Sequence, residues 1–593
     1  MTPTALLVSA GLLLATPHVP TLSPADVRPG QSAVVRTVFA GDSIETFDAV
    51  ILGVMDGGRS DGRIILARAT SERVVATGVA QGMSGSPVYV DGKLIGALSS
   101  GWGFSREPIF GITPIGEMLE VLDRPDGPAG EGASGPSGIE GGASPRYREL
   151  SWTDEPDAGP SGPVSRAPAP GRPAFLPLPL AAGGLNPAAF DEVSRMFAAS
   201  GFTVTPGGRA APGGSTKIVP GSAVAVDLLR GDLNFSAIGT VTYVDGDRVL
   251  IFGHPFFQAG AVRLPFSTAH IVSILPSYNL SFKLGVPGTP IGTATQDRRP
   301  AVAARLGPAP HLMPFAVSVF QDGRRQEFRF ETVEDRMMLS QLVGAAAMNS
   351  VMESGGGSPM QTVKWSLTAW RGGRSHRLAD ITAGEMPLGE AVAGATGPLR
   401  FLYGNSFERF ALDSLRLEFT VAPGRRQFTL RAATLGAPTV RPGGTARVRA
   451  EIELWRGERT AVDLDVPVPA ELPDGRYQLF VGGGAECDRL TATRQPSRFR
   501  PVSVADAWGK LAAVRASDAI YTALWARAPE VTADGEGFPE LPASALAVLA
   551  APQSAGDRAR RSEWAVFADR GRPVDGQLRG EVMLELIVDR KAP

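Results

Sequence analysis

Between residues 124 and 173, glycine and proline supply 20 of 50 positions. A segment so rich in the two residues that interrupt helices and strands cannot bury a core and reads as a linker. It splits the 593-residue chain into a short leading part and a longer trailing one. At about 150 residues per domain, a chain this long holds about three to four domains. Apolar residues at 43% and charged residues at 20% exclude a wholly disordered chain or a coiled coil. Lys and Arg total 58 against 60 Asp and Glu, so the basic excess of a nucleic-acid binder is missing. A single cysteine, Cys487, excludes an intrachain disulfide framework, a cysteine zinc site and a CxxC redox pair.

Residues 5–15, ALLVSAGLLLA, are all apolar or small. They are too few to span a bilayer, which takes about 20, and suit the apolar core of a secretory signal. Residues 1–20 are therefore expected to be a signal segment and the protein to be exported, to the periplasm, the medium or the envelope. Elsewhere no stretch reaches membrane-span length, and no integral membrane domain is expected.

Residues 28–123 read as short strands broken by Gly and Asp turns. After the linker, NPAAFDEVSRMFAA (186–199) reads as a helix with Asn186 as its cap and Pro187 at its first turn. Strands resume to residue 330. A helical connector follows at 331–361, its Met337, Met338, Met348 and Met352 serving core packing. Residues 362–500 read as a β-sandwich-like region, where ARVRAEIEL (446–454) alternates with period two. Residues 501–593 read as a mixed segment, with a helix near 505–527 and a closing strand at 581–588. Two stretches are alike: RPGQSAVVRTVFAGD (28–42) and VPGSAVAVDLLRGD (219–232) each run from a Pro-Gly turn through an apolar strand to a Gly-Asp turn. They suggest two related β units, one on each side of the linker.

The chemistry concentrates in QGMSGSP (81–87), followed by VYVDGKLIGAL. A G-x-S-G-S-P turn suits a chymotrypsin-like serine nucleophile. It would expose the Ser84 hydroxyl at a strand end and let the Gly82 and Ser84 N–H groups converge as an oxyanion hole. Gly82 supplies backbone freedom, Gly85 is expected to leave room for the substrate carbonyl, and Pro87 opens the next strand. A nucleophile of this kind needs a base, and only five histidines exist. His254, in VLIFGHPFFQAG, stands directly after an apolar strand and a glycine, where an imidazole can be held at a cleft.

These segments resemble the SpoIVB-type sporulation peptidases, serine peptidase family 55. RPGQSAVVRTVFAGDSIETFDAVI, QGMSGSPVYVDGKLIGAL and IFGITPIGEMLEVL are similar to the family's serine half. SAIGTVTYVDGDRVLIFGHP, AHIVSIL, SFKLG and IGTATQDRRPAVAARLG are similar to its histidine half. The resemblance implies a mainly β fold: a chymotrypsin-like double β-barrel assembled from residues 28–123 and 174–330, ahead of the sandwich-like region and a few helices. It implies a serine endopeptidase making limited cuts in polypeptides, self-cleavage included, with Ser84 and His254 catalytic and no metal or organic cofactor.

Two departures stand out. In the family the histidine segment comes first, whereas here Ser84 precedes His254 by 170 residues, the order expected of a circular permutation. The family's third member, an aspartate upstream of the serine, has no counterpart in ILARATSERVVATGVAQ, where the matching position falls near Ala69–Ser71. Glu72 is the nearest acid there, and Asp245 and Asp247 lie nearer the histidine. The expectation is a Ser-His dyad, its imidazole oriented by a carbonyl or water, with Glu72 ranked next as third member. The family's PDZ-like module has no evident counterpart. The alternative function is a catalytically degenerate envelope protein that binds protein or glycan on the same scaffold.

Overall fold

A computed structural model describes residues 19–56, 62–125, 145–147, 149–151, 174–175, 178–198, 200–208, 217–358, 360–533, 536–539, 542, 544–545 and 559–592. Nearly all of the expected signal segment and most of the linker lie outside these residues. The leading part contains strands β1 (Ser32–Val38), β2 (Ile44–Asp56) and β3 (Arg63–Ala69), then helix α1 (Glu72–Thr77) and β4 (Ala80–Gln81). Strands β5 (Pro87–Val90), β6 (Lys93–Gly101) and β7 (Ile109–Pro114) and helix α2 (Ile115–Leu122) follow. Hydrogen bonding runs β5-β1-β2-β3-β7-β6 and returns from β6 to β5, which closes a six-stranded barrel. Closure removes the exposed edges that an open sheet would leave. Every second residue of β1 points inward, and Val35, Phe47, Ile51, Ile65, Val88 and Ile112 fill the interior. The β5–β6 turn is made by Asp91 and Gly92, both at positive φ, the form a two-residue hairpin turn requires.

Beyond the linker come β8 (Ala174–Phe175), β9 (Leu178–Gly183), β10 (Phe202–Pro206), β11 (Ala223–Gly231), β12 (Asn234–Asp245) and β13 (Arg248–Ile251). The long hairpin β14 (Gly260–Leu275) and β15 (Ser281–Arg298) and then β16 (Ala301–Leu306) complete this part. Here the pairing runs β11-β12-β13-β16-β15-β14 and returns to β11. It is a second six-stranded barrel with the strand order of the first. The two similar sequence stretches become the opening strands, β1 and β11, of the two barrels. Their entry glycines, Gly30 and Gly221, both sit at positive φ. The double barrel expected from the sequence is therefore present, with each ring drawn from one side of the linker.

The barrels share apolar surface. Leu94, Ala97, Ile115 and Met118 pack with Tyr243, Leu250 and Ala301, and Val38 packs with Ala225, Ile238 and Ile271. β4 runs parallel to β15, pairing Ala80 with Ser281 and Gln81 with Phe282. This pairing lays the strand that leads into Ser84 directly on the second barrel's long hairpin.

Three expectations need correction. The linker is not uniformly without a core, because Tyr147 and Leu150 are buried in the main core. Beside them Arg146 pairs with Asp380 at 3.1 Å, and Ser151 N–H donates to the Phe499 carbonyl at 3.3 Å. The helix at Leu339–Glu353, by contrast, agrees with the core packing expected of this stretch, being buried on nearly all faces. Strands β17 (Met313–Gln321), β18 (Arg324–Thr332), β19 (Gln361–Arg371), β20 (Arg374–Ala383) and β21 (Ser414–Pro423) extend the second barrel's sheet. The sandwich begins later, at Gln427. Its two sheets share the core of Leu430, Val448, Leu464, Leu479, Leu524 and Leu586 and run through to Val588, across the boundary expected at residue 500. The helix expected near 505–527 stops at Ala513, and Ala519–Ala533 is a strand instead.

Candidate active site

The serine turn is set by its own hydrogen bonds. Met83 N–H donates to Ala80 O at 3.0 Å, Gly85 N–H to Leu98 O at 2.8 Å and Ser86 N–H to Met83 O at 2.9 Å. Neither Gly82 nor Ser84 is a donor in these bonds. Gly82 has φ +88° and Gly85 φ +92°, conformations that a side chain rarely tolerates. The buried Met83 side chain pins the turn into the first barrel's core.

The second barrel holds the other side of the turn. Strand β12 binds three of its carbonyls: Thr240 Oγ1 donates to Gly82 O at 3.0 Å, Thr240 N–H to Ser84 O at 2.9 Å and Thr242 Oγ1 to Gly85 O at 2.7 Å. The space beside Gly85 is closed. A Cβ there would lie 2.0 Å from Thr240 O and 2.5 Å from Phe252 N. The room expected for a substrate carbonyl is thus occupied by the second barrel's backbone, and Gly85 is glycine for close approach.

His254 follows β13 across two residues at positive φ, Phe252 at +68° and Gly253 at +70°. A Phe in this conformation is uncommon and is held here by complete burial. The Thr113 hydroxyl, on the first barrel, donates to Gly253 O at 2.6 Å and accepts from Ser99 Oγ at 2.9 Å. Gly253 packs on Ala97 and Leu98, the strand that also binds Gly85 N–H. The serine turn and the His254 backbone therefore share one seam between the barrels. Ser84 is 1% exposed and His254 2%. The Ser84 hydroxyl has no hydrogen-bond partner among the described residues.

His254 Nδ1 lies 2.8 Å from the Pro255 carbonyl. A carbonyl only accepts, so Nδ1 carries the hydrogen and Nε2 the lone pair. Burial lowers the imidazole pKa to about 4, a shift that the Pro255 bond partly opposes, and the ring is neutral at pH 7. The carboxylates nearest in sequence are engaged elsewhere or exposed. Glu72 is exposed at the first turn of α1. Asp245 pairs with Arg248 in its hairpin turn, and Asp247 pairs with Arg305 at 3.3 Å.

Sequence reasoning passed over two buried charges. Asp297, on β15, accepts from Phe256 N–H at 2.7 Å, Phe257 N–H at 2.6 Å and Ala259 N–H at 3.1 Å, and so fixes the loop directly after His254. Burial raises its pKa, against the pull of these N–H groups. Lys283, also on β15, is wholly buried, and its stem lies 3.1–3.3 Å from where a Gly82 Cβ would be. Its ammonium reaches Thr37 Oγ1 at 2.9 Å and Thr240 Oγ1 at 3.3 Å. No local signal marked Lys283, which alternates with Ser281 and Gly285 opposite Phe282, Leu284 and Val286, a pattern that reads as a solvated face.

The glycine-flanked serine turn of the first ring and the histidine past a strand end of the second thus lie along the seam between the two barrels. The family model described as SpoIVB peptidase S55 matches residues 14–112, a span that contains Ser84 and most of the first barrel. The match supports a SpoIVB-like serine peptidase, a class whose substrates are polypeptides. Neither a curated protein nor a solved structure matches the chain. Among the described residues no helix is long and apolar enough to cross a membrane.

Proposed function

We propose that the protein is an exported serine endopeptidase that makes limited cuts in polypeptides. The observation that carries this is the shared seam: β12 binds the carbonyls of Gly82, Ser84 and Gly85 and leads through β13 to His254. In the reaction Ser84 Oγ attacks the scissile carbonyl as His254 Nε2 takes its proton. The Gly82 and Ser84 N–H groups stabilise the oxyanion. The imidazolium then protonates the leaving amine, and water repeats the sequence on the acyl-enzyme. The Pro255 carbonyl serves as orienting acceptor in the place of a carboxylate. A neutral acceptor stabilises the imidazolium less than an aspartate would, which fits a slow enzyme. Burial of both side chains means that substrate enters only when the seam opens, which favours selective over digestive cleavage. Self-cleavage is one such selective reaction, and the reversed order of the two halves is read as a circular permutation.

A second reading, a degenerate scaffold that binds protein or glycan at the envelope, draws support from the same neutral acceptor behind His254 and from the burial of Ser84. The two readings separate when purified protein is incubated with unfolded casein. The peptidase reading expects cuts that disappear in both Ser84→Ala and His254→Ala. Cuts that persist in both variants, or none in the parent, would favour the scaffold.

A further inference from the structure

We propose that Lys283 is a positioning residue that holds the serine turn in its reactive form through the hydroxyls of Thr37 and Thr240. The proposal rests on the peptidase reading and goes beyond its nucleophile and base. An ammonium has three donors and no acceptor. Nζ therefore donates to Thr240 Oγ1, so that hydroxyl must send its one hydrogen elsewhere. It goes to Gly82 O at 3.0 Å. Nζ also donates to Thr37 Oγ1, which accepts in addition from Ser86 Oγ at 3.0 Å. The first chain runs outward from the buried charge to Gly82, and the second converges on Thr37, where Lys283 and Ser86 both donate, so the two meet the serine turn on either side of Ser84. The first fixes the carbonyl of Gly82, and with it the plane of the peptide that leads into Met83 and Ser84. The Lys283 stem packs against Gly82 itself, so charge and shape act on the same residue.

The cost of this arrangement is a charge taken from water with no carboxylate beside it among the described residues. The ammonium reaches hydroxyls on β1 and β12, the Ser86 hydroxyl of the serine turn lies one bond further on at Thr37, and the antiparallel neighbour of Lys283 on β14 is Ile274. Burial is the cause that lowers its pKa to about 7, and no charged side chain contributes to the shift. Such a group costs stability, and here its donors are spent on ordering two hydroxyls. When the ammonium loses its proton, the amine can accept from Thr37 or Thr240, and the direction of both chains is no longer imposed. Serine reactivity is therefore expected to fall as pH rises through about 7.

The test is the rate at which a fluorophosphonate inactivates the protein, measured from pH 5 to 10 for the parent, Lys283→Met and Thr240→Val, with the adduct mapped to Ser84. Lys283→Met keeps the stem and removes the charge. Thr240→Val leaves Lys283 in place and removes the relay, and melting curves report whether each variant is folded. The expected result is labelling slowed at least about tenfold in both variants, as loss of order at an oxyanion site implies. The decline above neutral pH should be present in the parent and absent in Lys283→Met. A folded Lys283→Met that labels at the parental rate with the parental pH profile would overturn the positioning role alone. A parent that takes no label at any pH would overturn the peptidase reading and this role with it.

Discussion

Replacing Gly85 by alanine tests whether the two barrels clamp the serine turn. The residue sits at φ +92°, where a Cβ costs about 1–2 kcal/mol. The added methyl would lie 2.0 Å from Thr240 O and 2.5 Å from Phe252 N, both main-chain atoms that cannot rotate aside. Overpacking of this kind adds about 1–3 kcal/mol. The total, about 2–5 kcal/mol, is a large share of the 5–15 kcal/mol (about) that holds a typical domain together. Gly92 is the matched control, with φ +74° and nothing within 4 Å of its would-be Cβ. Gly92→Ala should carry only the conformational part, about 1 kcal/mol. Urea unfolding followed by tryptophan fluorescence compares the two through the shift in the first transition. If Gly85→Ala falls within about 0.5 kcal/mol of Gly92→Ala, the resolution expected of such comparisons, the close docking of β12 on the turn is wrong.

Three further outcomes follow from the same geometry. His254 is held neutral with its pKa lowered from 6.5 to about 4, so below pH 6.5 the unfolded chain takes up a proton that the native state refuses. Stability should fall as pH drops from 6.5 toward 4, by up to about 1.4 kcal/mol per unit, and His254→Gln should flatten that dependence in melting experiments. Asp297→Ala would leave three loop N–H groups without their acceptor, at about 1–3 kcal/mol each where they stay buried, and hydrogen exchange should accelerate at Phe256, Phe257 and Ala259. Glu72→Ala, at an exposed helix start, should change stability by no more than about 0.5 kcal/mol and leave the rate of casein cleavage unchanged.

The barrels were legible because their strands alternate and their turns carry Gly and Asp at fixed places. Two features were most readable: the paired Pro-Gly to Gly-Asp stretches, which open rings of one strand order, and the serine motif's glycines, which take the positive φ that their chemistry needs. Closure of the rings was not readable, since it depends on pairings such as β5 with β6 and β11 with β14 that no local pattern encodes. The role of Gly85 was misassigned for the same reason: its neighbour is a carbonyl from a strand more than 150 residues away. Tyr147 and Leu150 were lost in the composition of the linker, because a few apolar residues can anchor a segment whose average cannot build a core. Lys283 and Asp297 were hidden because a charged residue in a strand is ordinarily solvated. Only the tertiary fold shows these two turned inward, toward Gly82 and the loop after His254.

The central claim is that Ser84 is a nucleophile served by His254. Mass spectrometry of the fluorophosphonate-treated protein at pH 6.5, with Ser84→Ala and His254→Ala treated in parallel, tests it most directly. The account predicts one adduct on the peptide containing Ser84, none in Ser84→Ala, and formation slowed by about a hundredfold or more in His254→Ala, the scale of a lost general base. Equal labelling of the parent and His254→Ala at Ser84, or an adduct confined to another serine, would contradict it.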